Sequence, residues 1–398
     1  MRIFSRLLVL AWVTGTATLA LAQNNEIRIA HLLDKTGPLE AFATQTSVGL
    51  KMGLEYATGG TMEVAGKKIV IINKDTQMKA DLGRSLLQNA YADDKVDFAV
   101  GPSSSAVALA AIPLARENKK VLIIDAAAAE YLTGEKSNRY VFRTGRNSDH
   151  DGYSGAAVFG RAGNFIATLA PDYAFGREGV ASFKAALKET PAQLVHEEYA
   201  PLGTTDFSAQ ALRLFNALKD KPGRKIIWII WAGPGNPMKL LDLDPARHGI
   251  EIVSGGGATL LTMAGLRPLV GSEAATGYWF QCPKNAANDW LIKEHQTRYG
   301  TPPDFFTATG MTTGIAIVEA LKKTKGVTDT ETLITALEGL SIDGPKGRNY
   351  FNKDNHQLMQ PMYQYRVKLD DKIAGGVGAE CVREIKIAEM NFPITKLK

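Results

Sequence analysis

At 398 residues, 45% of them hydrophobic and 22% charged, the chain has the composition of a globular protein, and disordered or fibrous classes are excluded. Its formal net charge of +5 falls to +3 without Arg2 and Arg6, leaving 44 basic against 41 acidic residues. So slight and evenly spread a balance argues against nucleic acid or an anionic membrane surface as partner.

The first 22 residues read as a secretory signal peptide: cationic Arg2 and Arg6, a mostly apolar run from Leu7 to Leu21, then the small-residue site Ala20-Leu21-Ala22 before Gln23. Thr14, Gly15, Thr16 and Thr18 interrupt the run, which is too short for a spanning helix of about 20 apolar residues. Cleavage is expected after Ala22, without a lipid anchor because no cysteine is near, and the mature chain is expected outside the cytoplasm.

Strand-like and helix-like segments then alternate. Ile27–Leu33, Lys68–Asn73, Val96–Val100 and Val121–Ile124 are short apolar runs, separated by amphipathic stretches at 40–58, 81–92 and 107–117. Continuous apolar strands joined by helices predict a parallel sheet buried on both faces. The rhythm restarts with strands at 164–169, 193–199, 226–231 and 251–254 and helices at 177–189 and 207–218. The expected architecture is α/β, two doubly wound lobes. Polar RTGRNSDHD from Arg143 reads as a first crossing between them; residues 286–340 are helix-rich, and GPKGRNYFNKDNHQ from Gly344 reads as a further crossing. Cys282 and Cys381, the two cysteines of an exported chain, are expected to form one disulfide, with isolated thiols as the alternative.

In open parallel sheets ligands bind beyond the carboxyl ends of the strands. There the chain carries GPSSSAVALA from Gly101, whose hydroxyls and free helix-start amides make an anion site, or cap the helix through Ser104 or Ser105. The next strand ends in DAAAAEYLTG, where small side chains let the backbone approach a ligand. In the second series Tyr173, Phe175 and Trp231 are placed either to wall a cleft or to fill the lobe core, and Phe42 is a similar case. SGGGAT from Ser254, which includes Gly257, offers backbone only. No catalytic or metal motif is found: the six histidines lack HExxH spacing, there is no CxxC, and GYSGA at Gly152 misses the nucleophile elbow by Ala156. No enzyme activity, cofactor or metal is expected.

In order and spacing, TGPLEAFA, GLKMGLEYATGGTMEVAGKKIVIINKDTQ, VGPSSSAVALAAIPLARENKKVLII, YVFRTGRNSD, PDYAFGREG, TTDFSAQ, GPKG and DNHQ make nearly the whole mature chain resemble the periplasmic solute-binding proteins of the branched-chain (hydrophobic) amino acid ABC transporter family. The resemblance implies a type I, Venus-flytrap fold with a three-crossing hinge. One lobe would be 23–144 plus 283–355, the other 145–282 plus 356–398. It implies a periplasmic monomer that closes on a small organic acid or amino acid and hands it to a membrane permease. By matched position, Ser104, Ser105 and Ala126, Ala127 and Ala128 would take the ligand's carboxylate, with Phe42, Phe175 and Trp231 around the rest.

Two departures bear on the ligand. The amino-acid binders place a threonine in the second loop and an acidic residue in the loop matched by SGGGAT, both to hold an α-ammonium group. Here those loops offer Ala126 to Ala129 and Gly255 to Gly257. A buried ammonium without acceptors costs several kcal/mol, so an apolar or aromatic acid is expected over leucine or valine, unless Asp125 or Glu130 substitutes. Arg143 and Arg146 lie at the expected hinge, where structural ion pairs are their expected role. The alternatives are a sensor of the same fold signalling to a membrane receptor, and a secreted hydrolase using Ser154 or a serine of the Ser103–Ser105 loop.

Overall fold

The structure is a computed structural model, and it describes residues 25–255 and 257–397. The signal peptide read from residues 1–22 lies outside the described residues.

The first half is built on β1 (Glu26–Leu33), β2 (Glu63–Val64), β3 (Lys67–Asp75), β4 (Phe98–Val100), β5 (Leu122–Ile124) and β6 (Val141–Arg143), in the order β2-β3-β1-β4-β5-β6. All neighbours are parallel except the β2 edge. Helices α1 (Glu40–Ala57), α2 (Ala80–Ala92) and α3 (Ser105–Glu117) cover it. The second half opens with α4 (Ser148–Phe159). It then builds β7 (Asn164–Pro171), α5 (Ala174–Leu187), β8 (Gln193–Ala200), α6 (Ser208–Leu218), β9 (Arg224–Ile229) and β10 (Ile250–Ser254), a parallel sheet of order β10-β9-β7-β8. The strands expected from apolar runs are all present, β7 buried at every position and β4 and β5 likewise.

A short helix α7 (Leu260–Met263) leads to β11 (Glu273–Thr276), and the chain then returns to the first half as α8 (Ala286–Tyr299), α9 (Phe305–Lys323) and α10 (Thr330–Leu337). Helix α9 lies directly against α1. A Cβ on Gly49 or Gly53 would overlap the carbonyls of Thr307 or Met311, and one on Gly310 or Gly314 would strike α1 in return. Glycines four apart on both helices permit this approach, which brings Phe306 beside Phe42.

Three antiparallel strands follow, β12 (Ser341–Gly344), β13 (Gly347–Phe351) and β14 (Leu358–Met359). His356 and Gln357 stay with the first half: His356 stacks on Phe142 with ring centroids 3.9 Å apart, and the Arg143 amide donates to its carbonyl at 3.0 Å. The chain then crosses to β15 (Met362–Leu369) and β16 (Val377–Ile385), which join β11 in a second antiparallel sheet of order β11-β15-β16. Both antiparallel sheets are additions that the alternating pattern did not reveal.

The chain thus passes between halves after β6, after β11 and after β14, and these passages are tied together. Gln357 Nε2 donates to the Gly145 carbonyl at 2.8 Å and Gln360 Nε2 to the Thr144 carbonyl at 3.0 Å. Cys282, in the second passage, is bonded to Cys381 of β16, their Cα atoms 5.5 Å apart. Among the described residues no helix is long and apolar enough to cross a membrane.

Candidate functional site

Both parallel sheets reverse winding direction at a defined place: in the first, β1 has β3 on one side and β4 on the other; in the second, β7 has β8 and β9. At such reversals adjacent loops diverge and leave a crevice. The loops after β1, β4, β7 and β9 face each other there, enclosing a cavity of about 610 Å³, within the usual range for small-ligand sites.

The first-half wall is polar and backbone-rich. Gly101 takes φ +98°, and any Cβ there would strike the Leu32 carbonyl, so this turn requires glycine. Ser103 and Ser105 line the cavity. Ser105 Oγ accepts the Ala129 amide at 3.2 Å, which leaves the hydroxyl proton for a ligand acceptor. Ser104 does not line the cavity: it is the buried N-cap of α3, accepting the Val107 amide at 3.5 Å. The helix begins earlier than the apolar pattern suggested, and the cap position therefore falls on Ser104.

The alanine loop alternates. Ala126 and Ala128 line the cavity, and among the described residues their amides have no acceptor. Ala127 is fully buried in the core, donating to the Pro102 carbonyl at 3.0 Å, so its assignment to the site is corrected. Arg143 sets this alternation. Its guanidinium donates to the carbonyl of Ala129 at 2.6 Å, of Ala127 at 3.4 Å and of Glu130 at 3.3 Å, to Gln357 Oε1 at 2.6 Å, and to Thr133 Oγ1. Its partners are carbonyls, an amide and a hydroxyl rather than the ion pair expected. Complete burial pushes its pKa down to about 9, so it stays cationic at neutral pH.

The remaining walls carry aromatic rings among aliphatic and polar residues. Tyr173, Phe175, Trp231 and Gly257 line the cavity from the second half, and Phe42 from the first. Tyr173 Oη donates to the Ala232 carbonyl at 3.3 Å, and Trp231 packs edge-on to Phe207 at 5.6 Å. Phe42 stacks on Phe306 with centroids 4.6 Å apart. Phe306 and the loop residues Asn236, Pro237, Met238, Thr259 and Thr262 also face the cavity. Reading strand ends alone misses Phe306, which starts a helix distant in sequence.

Arg146 also lines the cavity. It makes the ion pair expected of it, Nη2 standing 3.2 Å from Asp151 Oδ2, and packs over the Phe305 ring at 5.0 Å. The carboxylates flanking the alanines are used elsewhere. Asp125 is 3.2 Å from His31 Nε2, both almost fully buried, and Glu130 does not face the cavity. Burial, then the charge of Asp149, pushes Glu130 up to about 7. Among the described residues the only carboxylate lining the cavity is Asp242, which is exposed. Ser154 lies inside α4, bonded to the Asp151 carbonyl at 3.2 Å, and no histidine hydrogen-bonds to it or to Ser103, Ser104 or Ser105 among the described residues.

The family model for periplasmic binding proteins matches residues 26–375. The chain belongs to that family. Within it, the protein is a solute-binding protein of the branched-chain amino acid ABC transporter type, a family of solute-binding transport proteins whose compartment is the periplasm. It is 55% identical to an ABC-type branched-chain amino acid transporter protein of Rhodopseudomonas palustris CGA009, over 94% of this chain and 100% of that one, with a TM-score of 0.84. A solute-binding protein of an ABC transporter from R. palustris BisB5, solved with 3,4-dihydroxybenzoic acid, is 25% identical over 91% of this chain and 98% of that one, TM-score 0.80. Among curated relatives, Leu/Ile/Val-binding protein homolog 6 of Brucella abortus is 21% identical over 90% of this chain and 93% of its own length. The two-lobed α/β architecture expected from the sequence is that of these neighbours.

Proposed function

We propose that this binding protein captures an apolar or aromatic carboxylate between its two lobes and delivers it, as a monomer, to a membrane permease. In this reading one lobe is residues 23–144 with 283–359 and the other 145–282 with 360–398; the second boundary, expected at 355, moves past β14 because His356 stacks on Phe142 and β14 pairs with β13. The site comprises Ser105, Ala126, Ala128, Phe42, Tyr173, Phe175, Trp231 and Gly257. The carrying observation is the charge inventory of the cavity: hydroxyl, amide and guanidinium donors, the exposed Lys239, rings from both halves, and Asp242 as its one described carboxylate, exposed. An acid finds donors and apolar surface there; a buried α-ammonium group finds no charged acceptor, a loss of several kcal/mol. The relative that holds 3,4-dihydroxybenzoic acid supports the same chemistry.

A thermal-shift screen tests this reading, because a ligand at about 100 times its Kd stabilises the native state by about 2.7 kcal/mol. Benzoate, 3,4-dihydroxybenzoate and 3-phenylpropanoate are expected to raise Tm. Leucine or valine raising it further than every aromatic acid would overturn the ligand class. Delivery is tested by uptake of the best ligand in cells lacking the gene; undiminished uptake would remove the transport role.

A further inference from the structure

We propose that Arg146 is the residue that determines specificity for net-anionic ligands, receiving the same carboxylate that the free amides of Ala126 and Ala128 and the Ser105 hydroxyl receive, and thereby rejecting zwitterionic amino acids. This rests on the carboxylate reading above and names the group that decides it.

Position comes first. The segment after β6 runs beside the segment after β5: the Thr144 amide donates to the Ile124 carbonyl at 3.0 Å, and the Ser148 amide to the Ala128 carbonyl at 2.7 Å. Between these rungs Gly145 sits so close to the Asp125 carbonyl that a Cβ would overlap it. That register sets Arg146 alongside Ala126, and both residues line the cavity. The first passage between lobes therefore delivers a guanidinium to the edge of the amide loop.

Unmet bonding capacity comes second. Arg146 is 6% exposed, and its Nε is buried without a partner. Its one ionic partner among the described residues is Asp151, whose Oδ2 stands 3.2 Å from Nη2, so the rest of the guanidinium fork remains for a ligand. A buried guanidinium carries five donors and is strongly favoured by a bidentate carboxylate. Arg143, three residues earlier, shows what a structural arginine looks like here, with every guanidinium nitrogen engaged.

Charge balance comes third. Lys346 is also buried, with Gln360 Oε1 at 3.0 Å as its acceptor; burial, then the charge of Arg146, pushes its pKa down to about 7 against the opposing pull of Asp151 and Glu384. His150 beside them is fully buried and held neutral, its pKa pushed well below the usual imidazole range by burial and by these cations. Arg146 and Lys346 thus share one buried carboxylate, and a ligand carboxylate adds a second anionic acceptor for the Arg146 guanidinium. An ammonium brought to the same edge would meet like charge instead.

The test is calorimetric titration of the whole mature protein with matched pairs differing in one charged group. The pairs are 3-phenylpropanoate against phenylalanine, 4-methylpentanoate against leucine, and 3,4-dihydroxybenzoate against its amide. In the wild type the acid of each pair is expected to bind about ten- to a hundredfold more tightly, the range of hydrogen bonds to a charged group. In Arg146→Gln that advantage is expected to shrink to within about threefold, while Arg146→Lys keeps part of it. Because Arg146→Gln leaves Asp151 unpaired, Arg146→Gln with Asp151→Asn provides a folded control, checked by its melting temperature.

An acid advantage that survives in Arg146→Gln or in the double variant would overturn the assignment of Arg146 while leaving the carboxylate reading intact. Leucine or phenylalanine binding the wild type more tightly than its acid, or no acid binding at all, would overturn both.

Discussion

The cavity sets donors, led by the Ser105 and alanine loops, against rings drawn from both halves, and the two sets are held by different means. Hydrogen bonds hold the first: Arg143 fixes the alanine loop by its carbonyls, and Ser105 bridges that loop to α3. Packing holds the second: Trp231 lies against Phe207, and Tyr173 is centred 6.0 Å from Phe175. Hydrogen bonds are directional and fix where a ligand's polar group goes, whereas ring packing follows area and tolerates variation in the ligand's body. One set is therefore expected to recognise the class of head group and the other to select the body.

Removing Arg143 is the largest perturbation that separates the two sets. Arg143→Met leaves several buried carbonyls without their donor and is expected to destabilise the protein by about 3–5 kcal/mol, as when one member of a buried charged network is deleted. Urea unfolding reads this, and an unchanged midpoint would mean that the alanine loop is held by something other than Arg143. Ser105→Ala acts on the ligand. Loss of a hydroxyl facing a buried carboxylate is expected to weaken acid binding by about 1–3 kcal/mol, and an unchanged Kd would move the head-group site off this wall.

The rings give the smaller, more selective effect. Trp231→Leu is expected to weaken aromatic acids by up to about tenfold and to leave an aliphatic acid of equal length nearly unaffected. Equal losses for both would assign Trp231 a structural role.

The one effect that depends on pH concerns Glu130, at the end of the alanine loop. Its carboxyl titrates near 7 in the folded protein and in the ordinary carboxylate range when unfolded. Between those values the unfolded chain has released the proton that the folded chain retains, so this group's contribution to stability falls as pH rises through that window. Glu130→Gln is expected to gain in Tm relative to the wild type from about pH 5 to about pH 8. A Tm difference constant with pH would show that Glu130 does not titrate in that window.

Much of the frame was legible because parallel strands buried on both faces read as unbroken apolar runs, and because ligand loops at strand ends are short and local in sequence. GPSSSA and DAAAAE were conspicuous for that reason. What stayed hidden depended on one-residue phase or on distant chain. Whether Ser104 or Ser105 faces the ligand follows from where α3 begins, and whether Ala126 or Ala127 does follows from Arg143 holding alternate carbonyls. Phe306 reaches the cavity because glycine pairs let α9 lie on α1. The antiparallel strands β12 to β16 escaped because their pairing partners lie outside the alternating pattern.

By itself the sequence determined the class of fold, the number of repeated α/β halves, and the loops whose composition suits anion binding, since local propensity and hydrophobic period are written residue by residue. Only the tertiary structure decided which hydroxyls and amides remain free. It also decided that Arg143 is saturated while Arg146 keeps unused donors, because hydrogen-bond satisfaction belongs to neighbours in space, and the groups that satisfy Arg143 come from as far along the chain as Gln357.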